Sequence, residues 1–166
     1  MYVAFENLPD DSRIWVYLSE RKIEGDDFDW MSSALTSFLE KWTAHGNNLQ
    51  ASYTFLHGHI LVIGLNEDVA DASGCSIDSS VHFIQGMGAH LKTDFFNRTL
   101  VPFVDSNTAN LIPLNDIKSG LSTQKILGNA IIFNTLIAKK KDLETAHTQL
   151  KDSWLNRYLK IQDITA

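Results

Sequence analysis

Hydrophobic and polar positions alternate from Arg13 to Ser19, and a two-residue period over this length predicts a β-strand. The two faces of this strand carry different side chains, aliphatic on one face and aromatic on the other: Ile14, Val16 and Leu18 against Trp15 and Tyr17. On an open sheet the two aromatic side chains would be exposed, so we expect another part of the protein to cover them.

The next segment has a period of three to four residues, which is typical of an amphipathic helix. Asp26-Asp27 places two carboxylates at its N-terminus, where the helix dipole favours negative charge. The apolar positions that carry the period are Phe28, Met31, Leu35, Phe38, Leu39 and Trp42. We expect Phe38 and Trp42 to lie in the core and Gly46 to end the helix.

Two further strands are predicted over residues 51–56 and 59–65, joined by a tight turn at His57-Gly58. The second of them is apolar on both faces, as a central strand is. A second helix follows, with one apolar stripe formed by Ile77, Val81, Ile84 and Leu91. Residues 100–104 predict a fourth strand, and Pro102 within it favours an edge position.

This element order predicts an α+β protein with a ferredoxin-like βαββαβ sandwich, whose strand order is 4-1-3-2. We expect a single domain of residues 1–166, with a core over about 10–105 and a C-terminal strand and helix extension over about 106–166.

Within the extension, short elements are expected near 110–114 and 116–120, and a helix over 143–159 that is broken near Ser153. Residues 129–137 fit either a strand or a helix. The extension is the expected cover for the face with Trp15 and Tyr17. A second subunit, giving a homodimer, is the alternative cover.

Composition narrows the possible settings and partners. A net charge of −6 argues against nucleic acid as a partner, because a protein that neutralises phosphates needs a basic surface. One cysteine excludes an internal disulfide and fits the reducing cytoplasm. The longest apolar run, residues 60–65, is too short to cross a bilayer, so no membrane association is expected. The first nine residues show no signal-peptide pattern.

The predicted topology brings candidate site residues together at one rim of the sheet. The end of the first helix, with His45, lies near the start of the second helix, which carries Cys75. Cys75 would serve as a nucleophile, His45 as its base and Asp78 as a nearby carboxylate. A small anionic ligand would be held by the N–H groups at the helix start and by the side chains around it: Arg13, Ser73, Gly74 and Ser76.

A structural explanation of the same residues stays open. Ser73, Cys75 or Ser76 would then cap the second helix, with Asp78 in its first turn and His45 close to the end of the first helix. Cys75, Asp78, Ser79 and His82 share one side of the second helix, which fits a metal site, a triad or a solvated face. The histidines and the single cysteine lack zinc-ligand spacing, so neither a metal nor another cofactor is expected.

Four segments together resemble a small family of uncharacterised bacterial proteins: Trp42-Thr43-Ala44-His45-Gly46-Asn47, Gly74-Cys75-Ser76-Ile77-Asp78, Phe133-Asn134 and Ser153-Trp154. The resemblance covers nearly the whole chain. That family often carries the label "ABC transporter ATPase", which implies ATP hydrolysis. The present chain has no phosphate-binding loop, so ATP hydrolysis is not expected. The resemblance implies no established activity and assigns no roles to these residues.

Three kinds of function remain open on the sequence. The first is an enzyme that uses Cys75 as nucleophile, and the second is a binding module for a small anionic ligand at the same rim. The third is a protein-interaction or dimerisation module that works through the sheet face near Trp15 and Tyr17 and has no catalytic activity.

Overall fold

The computed structural model describes residues 1–160 and mixes helices with antiparallel sheets, which confirms the α+β class. The α-helices are α1 (Asp26–Lys41), α2 (Gly74–Leu91), α3 (Leu114–Ser122) and α4 (Asn156–Lys160). The strands are β1 (Arg13–Leu18), β2 (Thr43–Ala44), β3 (Asn47–Asn48), β4 (Ala51–Leu56), β5 (Ile60–Leu65), β6 (Leu100–Asp105), β7 (Thr108–Pro113), β8 (Ile131–Phe133) and β9 (His147–Gln149). Over this part of the chain, no helix combines the length and the apolar character that crossing a membrane requires.

The first sheet has the order β1-β5-β4, so the doubly apolar strand β5 is central as predicted. All six residues of β5 are buried. Its glycine permits a close approach by the N-terminal segment, because a Cβ on Gly64 would lie 2.6 Å from Cδ1 of Leu8. The first sheet is therefore covered on both faces.

One face of the first sheet packs against α1 and α2. The largest buried cluster joins Tyr17 to side chains of both helices: Met31, Leu35, Leu39, Ile84, Met87 and Leu91. Trp15 packs against the same cluster. The prediction that the C-terminal extension covers Trp15 and Tyr17 is therefore wrong, because the helices already occupy that face.

The fourth predicted strand, β6, does not join the first sheet. It lies in a second sheet of order β7-β6-β8-β9, so the predicted order 4-1-3-2 is wrong for this strand. β6 forms a hairpin with β7, its neighbour in the chain, and a local partner needs less loop closure than the edge of β1. Pro102 was expected at a sheet edge, but β6 has strands on both sides. The proline is tolerated because β8 pairs with β6 only at Phe103, opposite Ile132.

The second face of the first sheet is covered by the C-terminal segment of the same chain. Ile14, Leu18, Ile60 and Val62 form a buried cluster with Phe133 and Ala146. The cover is therefore supplied in cis, although it lies over the aliphatic face of β1 rather than the aromatic one. Residues 161–166, the last part of the predicted extension, lie outside the described residues. The boundary expected near residue 105 falls between two paired strands, β6 and β7.

The helix predicted over residues 143–159 is wrong, and residues 129–137 contain the strand β8. The later segment has a 3-10 helix (Lys140–Thr145), strand β9, another 3-10 turn (Leu150–Asp152) and the short helix α4. β9 pairs with β8, and this extended path buries Ala146 and Leu150 completely. Tertiary pairing therefore overrides a spacing of apolar residues that also suits a helix.

The first helix ends earlier than predicted. α1 stops at Lys41, and Trp42 already has an extended backbone. Gly46 does not end the helix, because it forms a two-residue turn with His45 between β2 and β3. Both turn residues are left-handed, with φ of 51° at His45 and 81° at Gly46, as tight hairpins of this kind require. His57 and Gly58 repeat this conformation between β4 and β5.

Candidate functional site

The end of α1 and the start of α2 border an open depression of about 530 Å³, which we call the rim depression. Its lining includes Lys41, Trp42, Thr43, His45, Cys75 and Ser79. The indole Nε1 of Trp42 donates a buried hydrogen bond of 2.8 Å to the carbonyl oxygen of Ser76. This bond joins the segment after α1 to the first turn of α2, so the walls of the rim depression are held together.

Aromatic side chains form the floor beneath the rim depression. The ring of Phe38 stacks on Phe83 with a centroid distance of 4.3 Å and lies 5.8 Å from Trp42. Trp42 in turn meets the ring of Trp15 edge to face at 6.2 Å. Aromatic contacts of this kind add to the burial of the rings and join Phe38 and Trp42, which line the depression, to the aromatic side chains behind them.

Cys75 and His45 both line the rim depression, and both are exposed. The left-handed turn projects His45 from the β2–β3 hairpin, while Cys75 sits in the first turn of α2. The structure thus brings two segments that are separated by about 30 residues to the same depression.

The two serines at the start of α2 are engaged within the helix end. The Ser73 Oγ accepts a hydrogen bond of 3.2 Å from the Ser76 N–H, which makes Ser73 the cap of the helix. The Ser76 hydroxyl donates to the Ser73 carbonyl oxygen at 2.8 Å. Both hydroxyls therefore form hydrogen bonds within the N-terminus of α2. The N–H groups of Gly74 and Cys75 lie in the first turn of the helix, where no preceding helical carbonyl can accept a hydrogen bond from them.

Arg13 and Asp78 do not border the rim depression. The Arg13 guanidinium lies 3.2 Å from a carboxylate oxygen of Glu67 and 4.6 Å from the centre of the Trp15 ring. Asp78 is exposed on α2, outside the lining. The cation that does line the site is Lys41, the last residue of α1, which was not among the predicted site residues. Its position directly before Trp42 was the available signal.

No family model, curated protein or solved structure matches this chain. Across residues 1–160, no three side chains among His, Cys, Asp and Glu are grouped so that they could hold a metal ion.

A second pair of polar side chains lies away from the rim depression. The Nε2 atoms of His57, in the β4–β5 turn, and His147, at the start of β9, are 2.7 Å apart and share a hydrogen bond. Burial lowers the pKa of His57 below its ordinary value, and the nearby His147 lowers it further, while the backbone of Asn107 acts in the opposite direction. The pair connects the β4–β5 turn of the first sheet to strand β9 of the second sheet.

From the histidine pair we expect acid to lower the free energy of unfolding. Because the pKa of His57 is lowered in the folded state, the unfolded chain binds more protons as the pH falls through about 6.5. The stabilising effect of neutral His57 is therefore present above that pH and is lost below it. Urea denaturation measures the free energy of unfolding at pH 7.5 and at pH 5.5. The decrease between the two pH values should be smaller for His57→Asn than for the wild type. His82→Gln, on the exposed side of α2, serves as the control, and equal losses for His57→Asn and wild type would contradict the prediction.

Proposed function

We propose that the rim depression binds a small anionic ligand. The observation that carries this proposal is that Lys41, His45 and the first turn of α2 meet at one open depression. The N–H groups of Gly74 and Cys75 stand at the positive end of an 18-residue helix, where anions are favoured. Lys41 lines the same site, and its ammonium adds a full positive charge. An acidic group of the ligand would therefore be bound by this charge and by the N–H donors of α2.

A second candidate function is the chemical turnover of that ligand by Cys75. It is favoured by the exposure of Cys75 and His45 in the same rim depression. In this candidate the His45 imidazole accepts the thiol proton, and the Cys75 sulfur adds to a carbonyl carbon of the ligand, whose C=O π electrons move onto the oxygen. The N–H groups of the first turn of α2 then stabilise the negative charge that develops on the attacked group. When the C=O bond re-forms, the leaving group departs and takes the proton from His45.

The binding proposal is tested with pyrophosphate and citrate as probes, titrated by calorimetry at low ionic strength. Lys41→Met should raise the dissociation constant about tenfold, because a hydrogen bond to a charged group contributes roughly 1.5–3 kcal/mol. Lys125→Met removes an exposed lysine outside the site and should leave affinity unchanged. Absence of saturable binding of both probes, or equal binding by Lys41→Met, would show that the proposal is wrong.

The thiol candidate is tested by the rate at which iodoacetamide modifies Cys75. The exposed thiol should react in the folded protein, and a saturating anion should protect it. His45→Asn keeps a residue that tolerates the left-handed turn and should slow the reaction at neutral pH by removing the base. An unchanged rate of modification in His45→Asn would eliminate the catalytic candidate. The binding proposal would still be decided separately, by the calorimetric titrations.

α1 and α2 cover the sheet face that carries Trp15 and Tyr17, so a protein-interaction or dimerisation module would use another surface of the protein. We retain membership of the small bacterial family as a proposal. Its support is that two of the four segments that carry the resemblance, residues 42–47 and 74–78, contribute to the rim depression. A cytoplasmic location and a homodimer are likewise proposals, the first resting on the single cysteine.

A further inference from the structure

The outer edge of β1 is paired along only part of its length. Residues 138–140 run beside the beginning of β1, where the Ile14 N–H donates to Ala138 and the Lys140 N–H donates to Ser12, each at 2.9 Å. The chain then leaves this path, because residues 135 and 136 form a turn in which the Leu136 N–H bonds to the Asn134 side chain at 3.0 Å. The space beside the second half of β1 is therefore not filled by a strand.

The direction of the backbone groups of β1 follows from these bonds. Successive residues of a strand present their N–H and C=O groups to opposite sides. The Ile14 N–H points away from β5, whereas the Ser19 N–H points toward the β5 side and bonds to His59 at 2.8 Å. The N–H and C=O of Val16 therefore point outward like those of Ile14. Within residues 1–160 they have no backbone partner.

Two adjoining cavities of about 90 and 240 Å³ lie along this free edge. Both are lined by Val16, Tyr17, Arg98, Thr135 and Leu136, and we call the space they form the edge groove. Apolar side chains, among them Leu18 and Leu100, line the smaller cavity. Arg98 is exposed, and no acidic side chain of the described residues forms an ion pair with it.

We propose that the edge groove binds an extended peptide segment of a partner protein, which adds to the first sheet beside β1 and places an acidic side chain against Arg98. The outward N–H and C=O of Val16 match the main chain of a strand, which is the basis of recognition by strand addition. The Arg98 guanidinium favours a carboxylate on the peptide. The smaller cavity accepts an apolar side chain, since alternate residues of the added strand face the groove wall.

The test begins with a displayed library of random linear octapeptides selected against the full chain, and enriched peptides are then synthesised with amidated C-termini. Affinities are measured by fluorescence polarisation. Arg98→Gln and replacement of the acidic residue of the peptide by its amide should each weaken binding about tenfold, and the two changes together should add little. This coupling is the signature of a direct contact between Arg98 and the peptide carboxylate.

The backbone contact is tested separately. Val16→Pro removes an N–H that points into the groove but takes no part in the pairing of β1 with β5, and it should weaken binding about tenfold or more. Val16→Thr changes the side chain but keeps the N–H, so it should bind more tightly than Val16→Pro. If Val16→Pro fails to fold, peptides N-methylated at alternate residues provide the same test on the wild-type protein.

Several results would overturn the proposal. One is that the library gives no enrichment over an unrelated immobilised protein. Another is that the selected peptides bind Arg98→Gln and Val16→Pro as tightly as they bind the wild type. Binding that requires a free C-terminal carboxylate would assign Arg98 a different ligand. Self-association of the chain that Val16→Pro abolishes would make a second copy the occupant.

Discussion

A chain that ends after Asn129 should lack a cooperative unfolding transition and should expose hydrophobic surface. Among the side chains that the cut removes are four large apolar ones that are almost completely buried, namely Ile132, Phe133, Leu150 and Leu155. Burying a large apolar side chain contributes about 1.5–3 kcal/mol, so their combined contribution is comparable with a typical net stability of about 5–15 kcal/mol. The truncated chain would also expose the part of the aliphatic face of β1 and β5 that Phe133 and Ala146 cover.

Three measurements check this expectation: urea denaturation followed by tryptophan fluorescence, binding of a hydrophobic dye, and gel filtration. Leu136→Ser changes an exposed residue within the removed segment and should leave unfolding cooperative, since its side chain is 68% exposed. A truncated chain that stayed monomeric and unfolded cooperatively would show that the C-terminal segment is dispensable, against the role that its buried contacts imply.

The second large effect is expected from Trp42→Ala, which should reduce the free energy of unfolding by about 3–5 kcal/mol. Trp42 is only 3% exposed and contacts the rings of Trp15 and Phe38. Its replacement leaves a cavity beneath the rim depression and removes the donor of the bond to the Ser76 carbonyl. Both losses act at the junction between α1 and α2.

Trp30→Ala is the matched control. Trp30 is a tryptophan within α1, but it is 38% exposed and stacks on His90. Its loss should be less than about 1 kcal/mol. Trp42→Phe separates the two contributions, since phenylalanine fills most of the volume but cannot donate the hydrogen bond. A loss below about 1 kcal/mol for Trp42→Ala would mean that the ring does not support the core.

Local periodicity was sufficient for β1, α1, β4, β5 and α2. The alternation in β1, the stripe of α1 and the doubly apolar β5 each depend on residues close in sequence; β1 and β5 were predicted at nearly their observed bounds, and α1 at its observed start. The β2–β3 hairpin was missed because its strands have two residues each. The partner of β6 was also missed, since the pairing of strands is decided by contacts that periodicity does not contain.

The candidate site was predictable in part for the same reason. The positions of Cys75 and His45 follow from the connection between α1, the first sheet and α2, which local patterns already indicated. The absence of Arg13 from the rim depression depends on its contacts with Glu67 and Trp15, which no sequence pattern shows. The participation of Lys41 depends on the helix ending at that residue, and helix ends are set within one or two residues by tertiary contacts.

Each of the two His-Gly turns places backbone strain and an imidazole on the same residue. Asn-Gly is the dipeptide that such a turn favours, and a left-handed backbone at a larger side chain raises the energy of the folded state by roughly 1 kcal/mol. His45 and His57 both carry this strain while supplying an imidazole, one to the rim depression and one to the pair with His147. Replacing both histidines by asparagine would relieve this strain but remove both imidazoles, so a more stable version of this protein that keeps them has to gain its stability elsewhere.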